Sequence, residues 1–227
     1  MKNNSKQGKG KIIVIDGVDG SGKKTQVAML VKRLKKQGVK VATLDFPQYK
    51  NNFIGKNIKE FLTHPEYAFH KQHPKVFSII LAADRWEAKQ KIEKYLDRGY
   101  LVILDRYMSS NQIHQGGKIK DEKKYNEFMT WLDTLEFKVF KIPRPNLILY
   151  LNLKIENIEK MLKLRGNFDN AEKDLQHQAE AMESAEKLTK KYKNFKMINC
   201  DGEKVGEGIK SREAINDLIY SQIKKYL

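Results

Sequence analysis

Between Lys11 and Gly38 the chain carries an order of residues that few folds accommodate. The β-branched run Ile12-Ile13-Val14-Ile15 comes first, then Gly17-Val18-Asp19-Gly20-Ser21-Gly22-Lys23, then apolar residues at helical spacing. Four β-branched residues bounded by glycines are too short for a helix and suit a buried strand. Beyond the glycines, Val27, Leu30, Val31 and Leu34 recur on one helical face, Lys and Arg fill the other, and Gly38 supplies a stop. The pattern Gly17-x-x-x-x-Gly22-Lys23 therefore sits between the end of a strand and the start of a helix, the setting of a phosphate-binding loop.

The composition of that loop has a physical reason. Glycine accepts positive φ without a Cβ clash, so successive backbone N–H groups can turn inward around a polyanion. The helix N-terminus adds donors and a favourable dipole. Gly17, Val18, Asp19, Gly20, Ser21, Gly22, Lys23, Lys24 and Thr25 are the expected ATP-binding segment, with Lys23 reaching the terminal phosphates. One position departs from the pattern: the residue after the lysine should carry a hydroxyl for Mg²⁺, and here it is Lys24, with Thr25 one residue late.

The remaining chain alternates in the same manner. Strands are expected at Val39 to Phe46, closed by Pro47, at Leu101 to Leu104 ending in Asp105, at Asn146 to Leu153 and at Lys196 to Cys200. Helices are expected from Pro74 to about Leu96 and near 121–136, 155–164, 172–193 and 212–226. Such alternation implies an α/β fold with about five parallel strands and helices on both faces. With 227 residues and no Pro- or Ser-rich linker, one domain over 11–227 is expected after a flexible tail at 1–10.

Composition narrows the function classes. No stretch approaches the roughly 20 consecutive apolar residues of a membrane span, and Met1 to Lys11 is polar, so a cytoplasmic protein is expected. The formal charge of +16 raises nucleic-acid binding, but Lys is spread along nearly every segment without a basic block, which disfavours it. The single cysteine, Cys200, follows Met197-Ile198 and reads as a small residue at a strand end. The five histidines lack metal-ligand spacing, so surface or polar-contact roles are their default.

A second motif is Leu101-Val102-Ile103-Leu104-Asp105-Arg106-Tyr107. It delivers a carboxylate and a guanidinium at a strand's C-terminal end, where open α/β sheets bind ligands. Asp105 could hold Mg²⁺ and Arg106 could clamp a phosphate, or the two could form a salt bridge closing the strand end. Arg85, in Ala82-Ala83-Asp84-Arg85-Trp86, is a candidate second anion clamp, although its spacing alone reads as a solvated arginine.

These segments, taken in order, resemble the thymidylate kinase family, in the nucleoside-monophosphate kinase branch of P-loop proteins. The resemblance rests on Asp16 to Lys23, Asp45-Phe46-Pro47 with Tyr49, Ala83-Asp84-Arg85-Trp86-Glu87, and Asp105-Arg106-Tyr107 followed by Ser110-Asn111 and His114-Gln115-Gly116. It implies ATP with Mg²⁺ as donor, a nucleoside monophosphate, dTMP favoured, as acceptor, and a homodimer with Val76 to Ala83 as a candidate contact. It also implies that Asp19 lies near the acceptor sugar and metal, that Phe46 and Pro47 line the acceptor pocket, and that Tyr49 lies close to the acceptor phosphate. By the same resemblance Arg85 and Arg106 hold that phosphate, and Asn111 and Gln115 face the base. A short mobile lid is implied near 163–175, with Arg165 as its catalytic guanidinium.

Four positions depart from the family's pattern. Lys24 replaces the metal-binding hydroxyl, Leu81 stands where a phenylalanine often stacks on thymine, Glu186 stands where a tyrosine is common, and the lid offers one arginine. A kinase for another nucleotide or a deoxynucleoside, a nucleotide-binding homologue without turnover, and a nucleic-acid-associated P-loop protein are the alternatives.

Overall fold

The computed structural model describes residues 9–64, 73–165, 175–202 and 208–227. Five strands, β1 (Lys11–Gly17), β2 (Val41–Asp45), β3 (Leu101–Asp105), β4 (Leu147–Asn152) and β5 (Phe195–Asn199), form one sheet in the order β2-β3-β1-β4-β5, every pair parallel. Successive residues of a strand point to opposite faces, yet Ile12, Ile13, Val14 and Ile15 are all buried, so both faces of the sheet are covered. The central β1 owes its place to that two-sided apolar run.

Helix α1 (Lys23–Lys36) packs on β1, β2 and β3 and against α9 (Arg212–Ile223). Helices α2 (Phe53–Thr63), α3 (Pro74–Glu87) and α4 (Lys89–Asp97) follow β2. The expected single helix from Pro74 to Leu96 is two, because the chain turns at Ala88, whose φ of −84° and ψ of −6° depart from α-helical values. A helical turn, α5 (Met108–Ser110), runs into a π-helical turn at Asn111–Gln115, and α6 (Glu122–Asp133) runs into another at Thr134–Val139. The last elements are α7 (Ile155–Arg165), α8 (Leu175–Lys191) and a 3₁₀ turn at Lys224–Tyr226.

Helix α2 was not expected from the sequence, although its signal is there: Asn52 as N-cap, then Ile54, Ile58 and Leu62 at helical spacing. Cys200 is buried behind β5, and burial pushes its thiol up to about 12, which leaves it inert. No helix among the described residues is long and apolar enough to cross a membrane.

Candidate active site

The C-terminal ends of β1 and β3 carry the site. After β1 the backbone takes positive φ at Gly17 (152°), Gly20 (82°) and Gly22 (83°), and Gly22 is the N-cap of α1 with no side chain capping the helix. The amides of the first turn are thus left to whatever occupies the loop. A Cβ on Gly17 would lie 2.6 Å from Ser21 Oγ and 2.9 Å from Leu151 O, so no other residue fits there. Ser21 Oγ is itself buried without a protein partner, as a donor kept for an anion would be.

Lys23 folds back into this loop. Its ammonium donates to Val18 O at 2.8 Å and lies 3.7 Å from the Asp19 carboxylate. Burial, with Arg106 nearby, lowers its pKa, while Asp19, Asp105 and Asp16 work the other way. A buried cation with so little neutralisation is a site prepared for added negative charge. Lys24 and Thr25 lie on the exposed side of α1.

Arg106 joins the loop to the rest of the site. Its backbone is left-handed (φ 65°), held by its N–H to Ile15 O at 3.0 Å, which aims the side chain back across β1. One terminal nitrogen donates to Asp19 Oδ1 at 2.5 Å, and the other lies 3.0 Å from His114 Nε2 and 3.9 Å from Asp16 Oδ1. Arg106 therefore pairs with Asp19 of the loop, not with its neighbour Asp105. Burial works against ionisation of Asp19, but the charges of Arg106 and Lys23 outweigh it and hold that carboxyl well below the usual carboxylate range.

Two other carboxylates flank this pair with different roles. Asp16 is fully buried and accepts from Ser109 Oγ (2.6 Å), Ser110 Oγ (2.9 Å) and Gly17 N (2.9 Å), so it ties the segment after β3 to β1. Asp105 is half-buried, and burial raises its pKa, opposed by Lys23 and Arg106. Among the described residues the Asp105 carboxylate accepts no hydrogen bond, which leaves it acceptor capacity beside the loop.

The second half of the site lies beyond β2. Phe46 N donates to Asp105 O at 2.9 Å, which sets the Phe46 ring 5.7 Å from that of Tyr107. Asp84 of α3 accepts from Gln48 N (3.0 Å) and Asn52 Nδ2 (2.9 Å), and Glu87 accepts from Phe53 N (2.9 Å) and Ile54 N (3.0 Å). These two acids pin the segment containing Pro47 and Tyr49 onto α3. Burial pushes the Asp84 carboxyl up to about 6, although the Gln48 N–H opposes the shift.

The spacing of Arg85 reads as a solvated arginine, and that reading is wrong. Arg85 is 2% exposed; its Nε donates to Glu136 Oε2 at 3.1 Å, Nη2 donates to Glu136 Oε1, and Nη1 is 3.5 Å from Tyr107 O. A fully buried carboxylate neutralises it. Asn111 lies alongside, its Nδ2 donating to Ser78 O at 3.2 Å and standing 3.5 Å from Glu136 Oε1, while its Oδ1 is buried without a protein partner. Leu81 is half-buried on the same α3, and Gln115 accepts from Lys118 Nζ at 2.9 Å.

Sequence reasoning missed two participants. Glu136 lies 51 residues from Arg85, and its only local signal is a charge set among Leu135, Phe137 and Val139. His114 takes the polar-contact role open to it by default, but with a site residue that no spacing named: it contacts Arg106 and, through Nδ1, lies 3.3 Å from His177 Nε2. The expected lid at 163–175 falls largely outside the described residues: α7 ends at Arg165, whose side chain lies outside them too. Glu186 is exposed on α8.

A five-stranded parallel sheet whose central strand feeds a glycine loop, with a guanidinium from the next strand closing on that loop, defines a P-loop kinase. Comparison with known proteins then places the chain within that class. It belongs to the thymidylate kinase family, whose family model matches residues 15–207. A thymidylate kinase of Caldicellulosiruptor saccharolyticus is 31% identical over 215 residues, 93% of this chain and 98% of that one. One from Schizosaccharomyces pombe is 30% identical over 188 residues, 77% of this chain and 82% of that one. The solved thymidylate kinase of Candida albicans superposes with a TM-score of 0.76 at 26% identity, over 96% of this chain and 92% of that chain.

Proposed function

We propose that this chain transfers the γ-phosphoryl group of ATP to dTMP, giving dTDP and ADP. The carrying observation is Arg106, whose guanidinium bridges Asp19 of the phosphate loop and His114 of the helical turn that also bears Asn111. It stands where donor and acceptor phosphates would meet. A phosphate oxygen of dTMP attacks the γ-phosphorus in line, a new P–O bond forms, and the bond to the β-phosphate oxygen breaks. The attacking phosphate is already ionised at neutral pH, so no general base is needed, and catalysis reduces to positioning and charge neutralisation.

Lys23 and the first-turn amides of α1 hold the donor phosphates, Arg106 meets the transferring group, and Arg165 joins from the lid. Mg²⁺ would neutralise charge on the donor phosphates. Among the described residues no three His, Cys, Asp or Glu side chains gather into a metal cage, so the ion would rest on Asp105 and the phosphates themselves. That donor set fits Mg²⁺ and does not need a hydroxyl at Lys24.

Phe46, Pro47, Tyr49 and Asp19 frame the acceptor's sugar and phosphate, with Leu81, Asn111 and Gln115 toward the base. Arg85 is buried, and its charge is offset by Glu136 rather than left for a phosphate. Loss of an aromatic ring at Leu81 removes about 1–3 kcal/mol of base stacking, which relaxes base selectivity without stopping the reaction. Val76 and Ile79 of α3, both exposed, supply a homodimer face on the helix that carries Leu81 and Arg85. The protein works in the cytoplasm.

A coupled ATP-consumption assay across dTMP, dUMP, dCMP and thymidine tests the reading. Turnover should be fastest with dTMP and absent with thymidine. Phosphorylation of thymidine but not dTMP would sink it, and inactivity with every monophosphate would favour a homologue that binds nucleotide without turnover.

A further inference from the structure

Arg106 does not end the line of contacts at His114. A guanidinium can only donate, so its 3.0 Å contact requires a bare lone pair on His114 Nε2. The neutral ring then carries its proton on Nδ1, and that N–H points at His177 Nε2, 3.3 Å away. His177 must in turn accept through Nε2. The two rings lie 5.3 Å apart with their planes 30° apart. One donor–acceptor direction therefore runs from Arg106 through His114 to His177, set at its head by a group that has no acceptor.

We infer that His177, on the first turn of α8, is a positioning residue for phosphoryl transfer: through His114 it fixes the guanidinium of Arg106. The inference rests on the reading that Arg106 meets the transferring phosphate. Arg106 is gripped by Asp19 on one side, and without a fixed acceptor on the other side its plane can rotate about that contact. His114 supplies the acceptor only in one tautomer, the one Arg106 demands, and His177 reinforces it by accepting from Nδ1–H and fixing the plane of the ring. The other tautomer would set an N–H against the guanidinium and break the contact.

The surroundings keep the pair in the required state. Burial, then Arg106, His177 and Lys23, hold His114 well below the usual imidazole range, with Asp19 opposing, so the ring stays neutral at working pH. Helix α8 does not depend on this contact for its seat, because Ser184 Oγ donates to Gln112 O at 3.0 Å, two residues before His114. Replacing His177 should thus leave α8 docked while freeing Arg106.

The test combines a spectrum with kinetics. In ¹⁵N-histidine-labelled wild type, His114 should show protonated Nδ1 and bare Nε2 as its single tautomer. His177→Ala should weaken that preference and lower kcat/KM for dTMP roughly 3- to 10-fold, the loss of one hydrogen bond, with KM for ATP unchanged. His177→Gln, whose Oε1 can accept from Nδ1–H, should restore both. An unchanged kcat/KM for dTMP in His177→Ala, equal loss in Ala and Gln variants, or an Nε2-protonated His114 in wild type would each overturn the inference. Failure of the wild type to phosphorylate dTMP would count against the proposed function instead, and the substrate-free spectrum would still decide whether His177 reinforces the tautomer.

Discussion

The carboxylate of Glu136 and the guanidinium of Arg85 face each other with side chains 0% and 3% exposed, an ion pair closed off from solvent. Truncating one partner leaves the other charged and buried. Glu136→Ala should lower unfolding stability by about 3–5 kcal/mol, measured by urea denaturation, and should weaken dTMP more than ATP. A loss of under about 1 kcal/mol would mean that water reaches Arg85.

Lys23 is buried against a carbonyl and one distant carboxylate, so its charge stabilises the empty fold little and a phosphate-loaded loop a great deal. Lys23→Ala should leave the melting temperature nearly unchanged while kcat falls about 100-fold or more. Steady-state assays beside a thermal melt separate the two effects.

Asp84 should make stability depend on pH. Its folded value of about 6 stands above the unfolded 3.8, so the folded protein favours the protonated acid. The contribution is fully present below pH 3.8 and is lost as pH rises through 6, on the order of 3 kcal/mol across the window. Denaturation at pH 4 and pH 7 should show that slope in the wild type and a flatter one in Asp84→Asn.

Two glycines of the phosphate loop should respond differently. At Gly22 a Cβ meets nothing within 4 Å, so Gly22→Ala should cost only the left-handed backbone penalty of about 1–2 kcal/mol. At Gly17 the same methyl runs into Leu151 O and Ser21 Oγ, and Gly17→Ala should distort the loop and abolish ATP binding. Calorimetric titration with ATP compares them.

What the sequence discloses follows the range of the forces. The loop from Gly17 to Lys23 and the strands around it are local patterns, and the structure places them within a residue or two of expectation. Pairings that span the chain are another matter. Arg85 with Glu136, 51 residues on, and His114 with His177, 63 residues on, exist because α3 packs on the π-helical turn Thr134–Val139 and α8 on the turn Asn111–Gln115, and no spacing within either segment announces the partner. The break at Ala88 left no sign in the spacing, because residues on both sides keep the helical period and only the flattened ψ of Ala88 (−6°) marks the end of α3.

Helix α3 carries Leu81, Asp84, Arg85 and Glu87, whereas Lys23, Asp19 and Arg106 belong to the loop after β1 and the end of β3. Under the proposed function, Leu81 meets the acceptor base from α3, apart from the loop and strand end that carry transfer, while Asn111 and Gln115 follow Arg106 directly. Point changes on α3 can retune part of that recognition while the transfer machinery descends unaltered, a division of labour on which selection can act one side at a time.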